Sequence, residues 1–184
     1  MLSFGTAGCN LGCRFCQNWD ISKSREIDTL ADEAAPEAIA ARPCARLPER
    51  RLHLQRPGDL REYALDAARA CRARGLKAVA VTAGYITEQA RGEFYAHMDA
   101  ANVDLKAFTE TFYHKLCFAA LQPVLDTLVW LKRETSVWFE VTTLLIPGHN
   151  DSDEEIERLC GWFYDQLGPA GAAPFHGLPP RLQR

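Results

Sequence analysis

Apolar residues recur along the chain with two different periods. A spacing of three to four residues predicts helices over 60–74, 87–100, 122–134 and 152–167. A continuous run of small and β-branched residues at 78–83 is typical of a strand buried on both faces. A short strand is predicted at 103–105, and 137–146 is the strongest β segment of the chain. Because strands alternate with helices, the pattern predicts a parallel α/β fold.

Both ends of this pattern carry local signals. Residues 2–5 form a short apolar segment, and residues 5–19 form a loop rich in Gly, Asn and Cys. A helix is predicted to start near Pro36. The N–H groups of a helix's first turn have no acceptor within the helix, so a proline, which has no N–H, is tolerated there. Ser152 followed by Glu155 predicts a capping box, in which each side chain bonds the other residue's backbone N–H.

Two stretches break the alternation, although a strand belongs in each. Residues 41–61 contain six of the sixteen arginines and three prolines, and residues 168–184 are rich in Pro, Gly and Ala. No strand pattern is visible in either. Two interpretations remain open: solvated basic loops, or segments translated from shifted reading frames of a GC-rich gene.

Composition narrows the class of protein. The chain has 184 residues and a formal net charge of -3, which fits one ordinary soluble domain. The chain contains no run of 18 apolar residues, so no membrane span is predicted. Its near-neutral charge gives no indication of a nucleic-acid partner. The segment before Cys9 resembles a lipoprotein cleavage box but lacks its basic and apolar regions, so we expect no lipid anchor.

The seven cysteines divide into a cluster and scattered residues. Cys9, Cys13 and Cys16 lie within eight residues of one another. An odd count without a secretion signal favours a reduced, cytoplasmic protein with a thiolate metal site over a disulfide framework. The residues that we interpret as background thiols are Cys44, Cys71, Cys117 and Cys160.

Three closely spaced thiolates restrict the metal chemistry. Soft sulfur ligands favour iron–sulfur clusters, zinc or copper(I). A structural zinc site uses four ligands, and an electron-transfer ferredoxin uses four cysteines for each cluster. Three cysteines therefore favour a cluster with one open iron, while a zinc site and incidental core cysteines remain as alternatives.

Four segments resemble one family. Residues 5–22 (GTAGCNLGCRFCQNWDIS) resemble the cluster loop of the radical S-adenosylmethionine superfamily, and in particular the radical enzyme of the AmmeMemoRadiSam system. That group is similar to the pyruvate formate-lyase activating enzymes. Strand ends like those of this family follow at 82–85 (TAGY), 102–108 (NVDLKAF) and 142–151 (TTLLIPGHND).

The resemblance covers residues 1–40 and 62–167 and implies a fold and an activity. The fold is a partial (β/α)6 barrel over residues 1–167, in which 41–61 are atypical and 168–184 form an irregular tail. The activity is reductive cleavage of S-adenosylmethionine to a 5′-deoxyadenosyl radical by a [4Fe-4S] cluster, whose open iron chelates the amino and carboxylate groups of the cofactor. The substrate is not implied.

The resemblance also implies roles for individual residues. Cys9, Cys13 and Cys16 would hold the cluster. The implied contacts with S-adenosylmethionine are Phe15 and Asn18 at the adenosyl group, Asp104 and Lys106 at polar groups, and Thr82 lining the same opening. No catalytic side chain is assigned.

Each of the later motifs also has a plain structural interpretation. Asp104 and Lys106 also fit a solvated turn after a strand, and Thr82 fits an ordinary buried strand position. Residues 147–151 fit a turn and a helix cap, with His149 as a weaker catalytic candidate.

The family also implies partners. It predicts an external one-electron donor of the flavodoxin or ferredoxin type, and a protein is one possible substrate. An activase for a glycyl-radical enzyme is the nearest alternative function. A noncatalytic iron–sulfur or zinc-binding module is the alternative from another class.

The chain departs from the family at its second strand. Residues 41–61 lack the family's Thr-Tyr-Asn-Glu-Pro-like strand end, and segments at both termini are missing. We therefore expect an incomplete barrel with about four strands and little activity. An interior strand buries roughly 1.5–3 kcal/mol per apolar side chain, which rivals a domain's net stability of about 5–15 kcal/mol.

Compensating frame shifts make a direct prediction. The nucleotides that encode residues 41–61 should yield, in one of the other two frames, an apolar strand that ends in an Asn-Glu-like motif. Translation of those frames checks it, and the frame-shift hypothesis is wrong if neither frame contains such a strand.

Overall fold

The computed structural model describes residues 2–5, 8–22, 35–41, 51–55, 61–168 and 175–177. The strands in this part are Leu2–Gly5 (β1), Arg51–Gln55 (β2), Lys77–Thr82 (β3), Ala100–Asp104 (β4), Trp138–Leu145 (β5) and Phe175–Gly177 (β6). The α-helices are Trp19–Ser22 (α1), Pro36–Ala41 (α2), Arg61–Arg72 (α3), Glu88–Tyr95 (α4), Glu110–Phe112 (α5), Gln122–Glu134 (α6) and Asp153–Leu167 (α7). A single π-helical turn, Tyr113–Cys117, follows α5 directly.

The six strands form one sheet in chain order, from β1 to β6, and every neighbouring pair is parallel. Parallel neighbours require a crossover between them, which the intervening helices supply. In the described residues no pairing joins β6 to β1, so the sheet is an open barrel. The predicted partial (β/α)6 barrel is confirmed.

The expectation that neither atypical stretch contains a strand is wrong. β2 lies within the arginine-rich stretch and pairs with β1 on one side and β3 on the other. β6 lies within the predicted irregular tail and pairs with β5. β2 is short, and its alternation of Leu52 and Leu54 with polar residues is a weak signal among the surrounding arginines and prolines. Backbone N–H and C=O groups pair whatever the side chains are, so the neighbouring strands accept this segment. The expected loss of an interior strand therefore does not occur. Cys44 lies outside the described residues.

The other predicted helices and strands are present, with one boundary that differs. The sequence predicts one helix over 87–100, but α4 ends at Tyr95 and β4 begins at Ala100. Asp99 explains the change, because its N–H donates to the Ala78 carbonyl (2.8 Å) and its carboxylate accepts from the Ala78 N–H (2.9 Å). These bonds bring the chain into the sheet one residue before β4. No helix in the described ranges is long and apolar enough to cross a membrane.

The core lies between the sheet and its helices. α3 buries a stripe of small side chains, which lets the helix approach the sheet closely: Ala64, Ala67, Ala68 and Cys71. On β4, Val103 faces α6, because a Cβ at Gly84 would lie 2.9 Å from Val103 and 3.4 Å from Val124 of α6. The neighbouring residues of β4 therefore face away from α6, since successive side chains of a strand alternate between its faces.

The capping box at α7 forms in part. The Ser152 hydroxyl accepts from the Glu155 N–H at 3.3 Å, as predicted. The Glu155 carboxylate does not return to Ser152 but accepts from the Phe108 N–H at 2.6 Å. A contact between distant segments thus replaces the local one, and it fixes the chain just beyond β4.

We predict that Asp99→Asn lowers the free energy of unfolding at pH 7 by about 1–3 kcal/mol. Burial opposes the charge of Asp99, but hydrogen bonds from Lys77 (2.7 Å) and the Ala78 N–H outweigh it and hold the pKa of the carboxyl below its usual value. This contribution is therefore complete above the unfolded pKa of about 3.9 and is lost as the pH falls through the lower folded value.

Urea unfolding between pH 7 and pH 3 measures this effect. Asp66→Asn is the matched control, because Asp66 is 58% exposed and its partner among the described residues is the half-exposed Arg69 on the same helix. The control should stay within about 0.5 kcal/mol of the parent. Equal losses in the two variants would contradict the role of Asp99.

Candidate functional site

The cysteine loop, residues 8–18, is held by backbone hydrogen bonds to distant segments. The Gly12 N–H donates to the Cys117 carbonyl and the Arg14 N–H donates to the Leu116 carbonyl, each at 2.8 Å. The Asn10 side chain donates to the carbonyl of Tyr85, beyond β3, at 2.7 Å. The loop is therefore positioned by tertiary contacts on two sides.

The end of the loop closes on itself. The Cys16 N–H donates to the Cys13 carbonyl (3.3 Å), so these two cysteines share one tight turn. The buried Ser22 hydroxyl donates to the Asn18 carbonyl at 2.7 Å and lies 3.1 Å from the Cys16 sulfur. Cys13 is buried, while Cys9 and Cys16 are half-buried.

The π turn, residues 113–118, is the surface on which the loop rests. It comprises the π-helical residues and Phe118, whose φ of 54° is left-handed. The Phe118 side chain covers Gly12, where a Cβ would lie 2.9 Å from its ring, and the Arg14 guanidinium lies 5.3 Å from the ring centre. Just before the turn, the Phe112 ring packs 5.5 Å from the ring of Phe15.

Asp104 and Lys106 form an ion pair at the carboxyl end of β4. The Lys106 ammonium donates to the Asp104 carboxylate at 2.6 Å, and the two side chains are 20% and 33% exposed. Both lie on the face of the sheet turned away from α6, the face that also carries Asn102. The Asn102 amide donates to Glu140 and Thr142 of β5, each at 2.8 Å.

The charge of Lys106 is held by its surroundings. Burial opposes the charge, but the negative Asp104 and its hydrogen bond outweigh burial and raise the pKa of Lys106 above its usual value. The backbone N–H of Lys106 also donates to the Tyr113 hydroxyl at 3.0 Å. The charged side chain is therefore fixed at the start of the π turn on which the cysteine loop rests.

Asn150 is a supporting residue that sequence reasoning missed. It is buried, accepts from the Ile146 N–H (2.7 Å), and donates to the carbonyls of Leu144 (2.9 Å) and Lys106 (2.8 Å). These bonds join the carboxyl ends of β4 and β5. Residues 142–151 resemble a family strand end, and 147–151 also fit a turn and cap, but neither signal singles out Asn150. The turn does form, and His149 is exposed on it.

The structure brings some of the predicted residues together and separates others. Phe15 and Lys106 both lie against the segment that carries the π turn. Asn18 is exposed at the end of the loop. Thr82 pairs with Val103 in the register, so it lies on the face toward α6, opposite to Asp104. Its hydroxyl accepts from the Gly84 N–H at 3.1 Å.

Cys117, which the sequence pattern indicates is a background thiol, lies beside the cysteine loop. It is fully buried at the end of the π turn, and its thiol hydrogen-bonds with that of Cys13. This hydrogen bond and burial raise the pKa of the Cys117 thiol. The helical pattern around residue 117 concealed the contact, because it is made across about a hundred residues of sequence. Cys71 is buried in α3, and Cys160 is exposed on α7.

The donor set fits an iron–sulfur cluster better than a single ion. In the described part of the chain, no three His, Cys, Asp or Glu side chains converge closely enough to hold one metal ion. A four-iron cluster is larger than one ion, so its thiolate ligands stand further apart. The chemistry of the donors fits the cluster, because three soft thiols lie on one anchored loop and two of them are half-buried.

We predict that Gly12→Ala weakens the contact between the loop and the π turn. The added methyl group would lie 2.9 Å from the Phe118 ring and 3.1 Å from the Phe118 Cβ, a strain that typically costs about 1–3 kcal/mol. The melting temperature should fall by several degrees, roughly 2–4 °C per kcal/mol. Gly161→Ala is the control, because nothing lies within 4 Å of its added methyl group in the middle of α7.

The control should be neutral or stabilising, since alanine is the better helix former. Adding Phe118→Gly to Gly12→Ala should restore the melting temperature, because it removes both the collision and the left-handed strain. An unchanged melting temperature in Gly12→Ala would contradict the contact.

Comparison with known proteins gives a family and a set of folds. The family model described as the radical SAM superfamily matches residues 4–160. The uncharacterized protein MJ0808 of Methanocaldococcus jannaschii is 31% identical over 96% of this chain. This chain spans 53% of that relative's length.

Several solved structures share the fold at low identity. The protein anSMEcpe with bound AdoMet matches 97% of this chain and 52% of its own, with a TM-score of 0.70 and 14% identity. SuiB of Streptococcus suis matches 99% of this chain and 40% of its own, with a TM-score of 0.66 and 10% identity. A domain of a pyruvate-formate lyase-activating enzyme from Bacteroides vulgatus matches 66% of this chain and 80% of its own, with a TM-score of 0.55 and 17% identity.

The family match covers the end of β1, the cysteine loop, strands β2 to β5 and about half of α7. The chain therefore belongs to the radical SAM superfamily, whose members use a [4Fe-4S] cluster and S-adenosylmethionine.

Proposed function

We propose that this chain is the core of a radical enzyme of the AmmeMemoRadiSam type. Cys9, Cys13 and Cys16 would hold the [4Fe-4S] cluster, and residues 1–167 together with β6 would form the core. When bound, the cluster supplies the electron that cleaves S-adenosylmethionine to a 5′-deoxyadenosyl radical. The chain spans about half the length of its curated relative, so we also propose, as part of this function, that the whole protein carries out this reaction.

One observation supports the proposal most directly: the ion pair at the end of β4 and the cysteine loop both lie against the π turn. The Lys106 N–H donates to Tyr113 at the start of that turn, the loop's Gly12 N–H donates to Cys117 at its end, and the Lys106 ammonium group donates to Asp104. An ammonium group has three donors, so Lys106 can bind an anionic group while keeping its bond to Asp104. A cofactor that carries both a carboxylate and an amine suits a site with one cation and one carboxylate beside the metal ligands.

The remaining residues supply the adenosyl end of the site. Phe15 presents an aromatic ring that Phe112 supports from behind, and aromatic faces stack well on nucleobases. Asn18 is exposed and offers an amide for polar contacts. Thr82 lies on the other face of the sheet, so it would act by holding the turn at Gly84 and not by touching the cofactor.

A peptide or protein is the substrate class that the relatives favour. One SuiB structure contains the precursor peptide SuiA, and one anSMEcpe structure contains a Cp18Cys peptide. A glycyl-radical activase, which also acts on a protein, is the second candidate, supported by the fold shared with the activating-enzyme domain. An external donor of the flavodoxin or ferredoxin type would supply the electron, in a reducing cytoplasm that keeps the thiols available.

Anaerobic reconstitution with iron and sulfide tests the proposal. We expect a brown protein with about four irons. With dithionite as the electron source, it should convert S-adenosylmethionine to 5′-deoxyadenosine. Cys13→Ala should lose both the cluster and the product, whereas Cys160→Ala removes an exposed thiol from α7 and should keep both. Colourless protein with one tightly held zinc, or product formation by Cys13→Ala, would overturn the proposal.

The role of Lys106 is tested separately. Lys106→Met should keep the iron content but lower kcat/KM for S-adenosylmethionine cleavage by about 10- to 100-fold, the effect of losing one charged hydrogen bond. Lys132→Met removes an exposed lysine from α6 and is the matched control. If the two variants have equal kcat/KM, Lys106 does not contact the cofactor.

A further inference from the structure

Cys117 occupies a position that neither the fold nor the proposed ligand set requires. It ends the π turn, is fully buried, and its thiol hydrogen-bonds with that of Cys13. Cys13 is itself buried, so the contact between the two sulfurs is shielded from water. A fourth thiol therefore lies directly beside one of the three proposed cluster ligands.

Backbone bonds fix this juxtaposition independently of the side chains. The N–H groups on either side of Cys13, those of Gly12 and Arg14, donate to the carbonyls of Cys117 and Leu116, each at 2.8 Å. Cys13 thus lies alongside residues 116–117. The backbone bonds bring the two cysteines together, and their thiols hydrogen-bond across this contact.

The turn that delivers Cys117 is costly to form. A π-helical turn is rare, and Phe118 adopts a left-handed backbone that disfavours a large residue. π-helical turns occur frequently at functional sites. The carbonyls of this turn hold the cysteine loop, and the side chain that the turn places beside Cys13 is a thiol.

We propose that Cys117 is a positioning residue that donates an S–H hydrogen bond to the sulfur of Cys13 and thereby tunes the cluster. This inference rests on the proposed function. A thiol that is not bound to iron can donate, whereas the sulfur of a bound ligand can only accept. Hydrogen bonds to the ligand sulfurs are among the factors that set the reduction potential of an iron–sulfur cluster. A donor stabilises the more negative, reduced form, so Cys117 raises the potential.

The contact itself is tested first, in cluster-free protein. In a Cys9→Ser/Cys16→Ser background, Cys13 is the only thiol left in the cysteine loop. Brief oxidation with diamide, which takes two hydrogens from a pair of thiols as the disulfide forms, should link Cys13 to Cys117. Trypsin then yields a cross-linked pair of peptides, 1–14 with 116–132, which mass spectrometry identifies. A link from Cys13 to Cys71 or Cys160 at an equal rate would overturn the contact.

The effect on the cluster is tested next, by the midpoint potential of the reconstituted protein followed by electron paramagnetic resonance. Cys117→Ala should keep about four irons and shift the potential to a more negative value. Cys117→Ser keeps a donor of similar size and should restore most of the shift. Cys71→Ala, which removes a buried thiol from α3, should leave the potential unchanged.

Each outcome bears on one of the two proposals. A parent protein that takes up no cluster overturns the proposed function and this inference with it. A fully loaded Cys117→Ala protein with the parent's potential, or equal shifts in Cys117→Ala and Cys117→Ser, overturns only the inference. Loss of iron from both Cys117 variants, with circular dichroism showing them folded, would identify Cys117 as a fourth ligand and also overturn it.

Discussion

The pairing of the cysteine loop with the π turn is the constraint on which the site depends. The loop has no strand neighbour of its own, and buried N–H groups without partners would destabilise it by a few kcal/mol. The Cys117 carbonyl accepts from the Gly12 N–H, and the Leu116 carbonyl accepts from the Arg14 N–H, so this cost is removed. The need for glycine at position 12 and the left-handed backbone of Phe118 both follow from how closely the two segments approach.

The same turn supports the second half of the site. Its first residue, Tyr113, accepts from the Lys106 N–H at 3.0 Å, and its last π-helical residue, Cys117, accepts from the loop. Asn150 holds the Lys106 carbonyl from the other side. The cysteine loop and the end of β4 therefore share one support, so a displacement of the turn would move the proposed metal ligands and the proposed cofactor contacts together.

Much of the fold could be predicted from local pattern, and the exceptions have one cause. α6 and β5 are read directly from their apolar spacing, because burial of one face needs only the right period. β2 could not be read, because its place is decided by the backbones of β1 and β3 on either side. The end of α4 was misplaced for a similar reason, since Asp99 binds the backbone of β3.

By itself the sequence determined the chemistry of the site: three thiols within eight residues, and the acidic Asp104 and the basic Lys106 two residues apart at a strand end. Such features lie within a few residues of one another, so their spacing suffices to recognise them. The tertiary structure decided which groups meet, because contacts across the sheet depend on register and on turns far apart in the chain. It placed Cys117 beside Cys13, and it turned Thr82 to the face opposite Asp104.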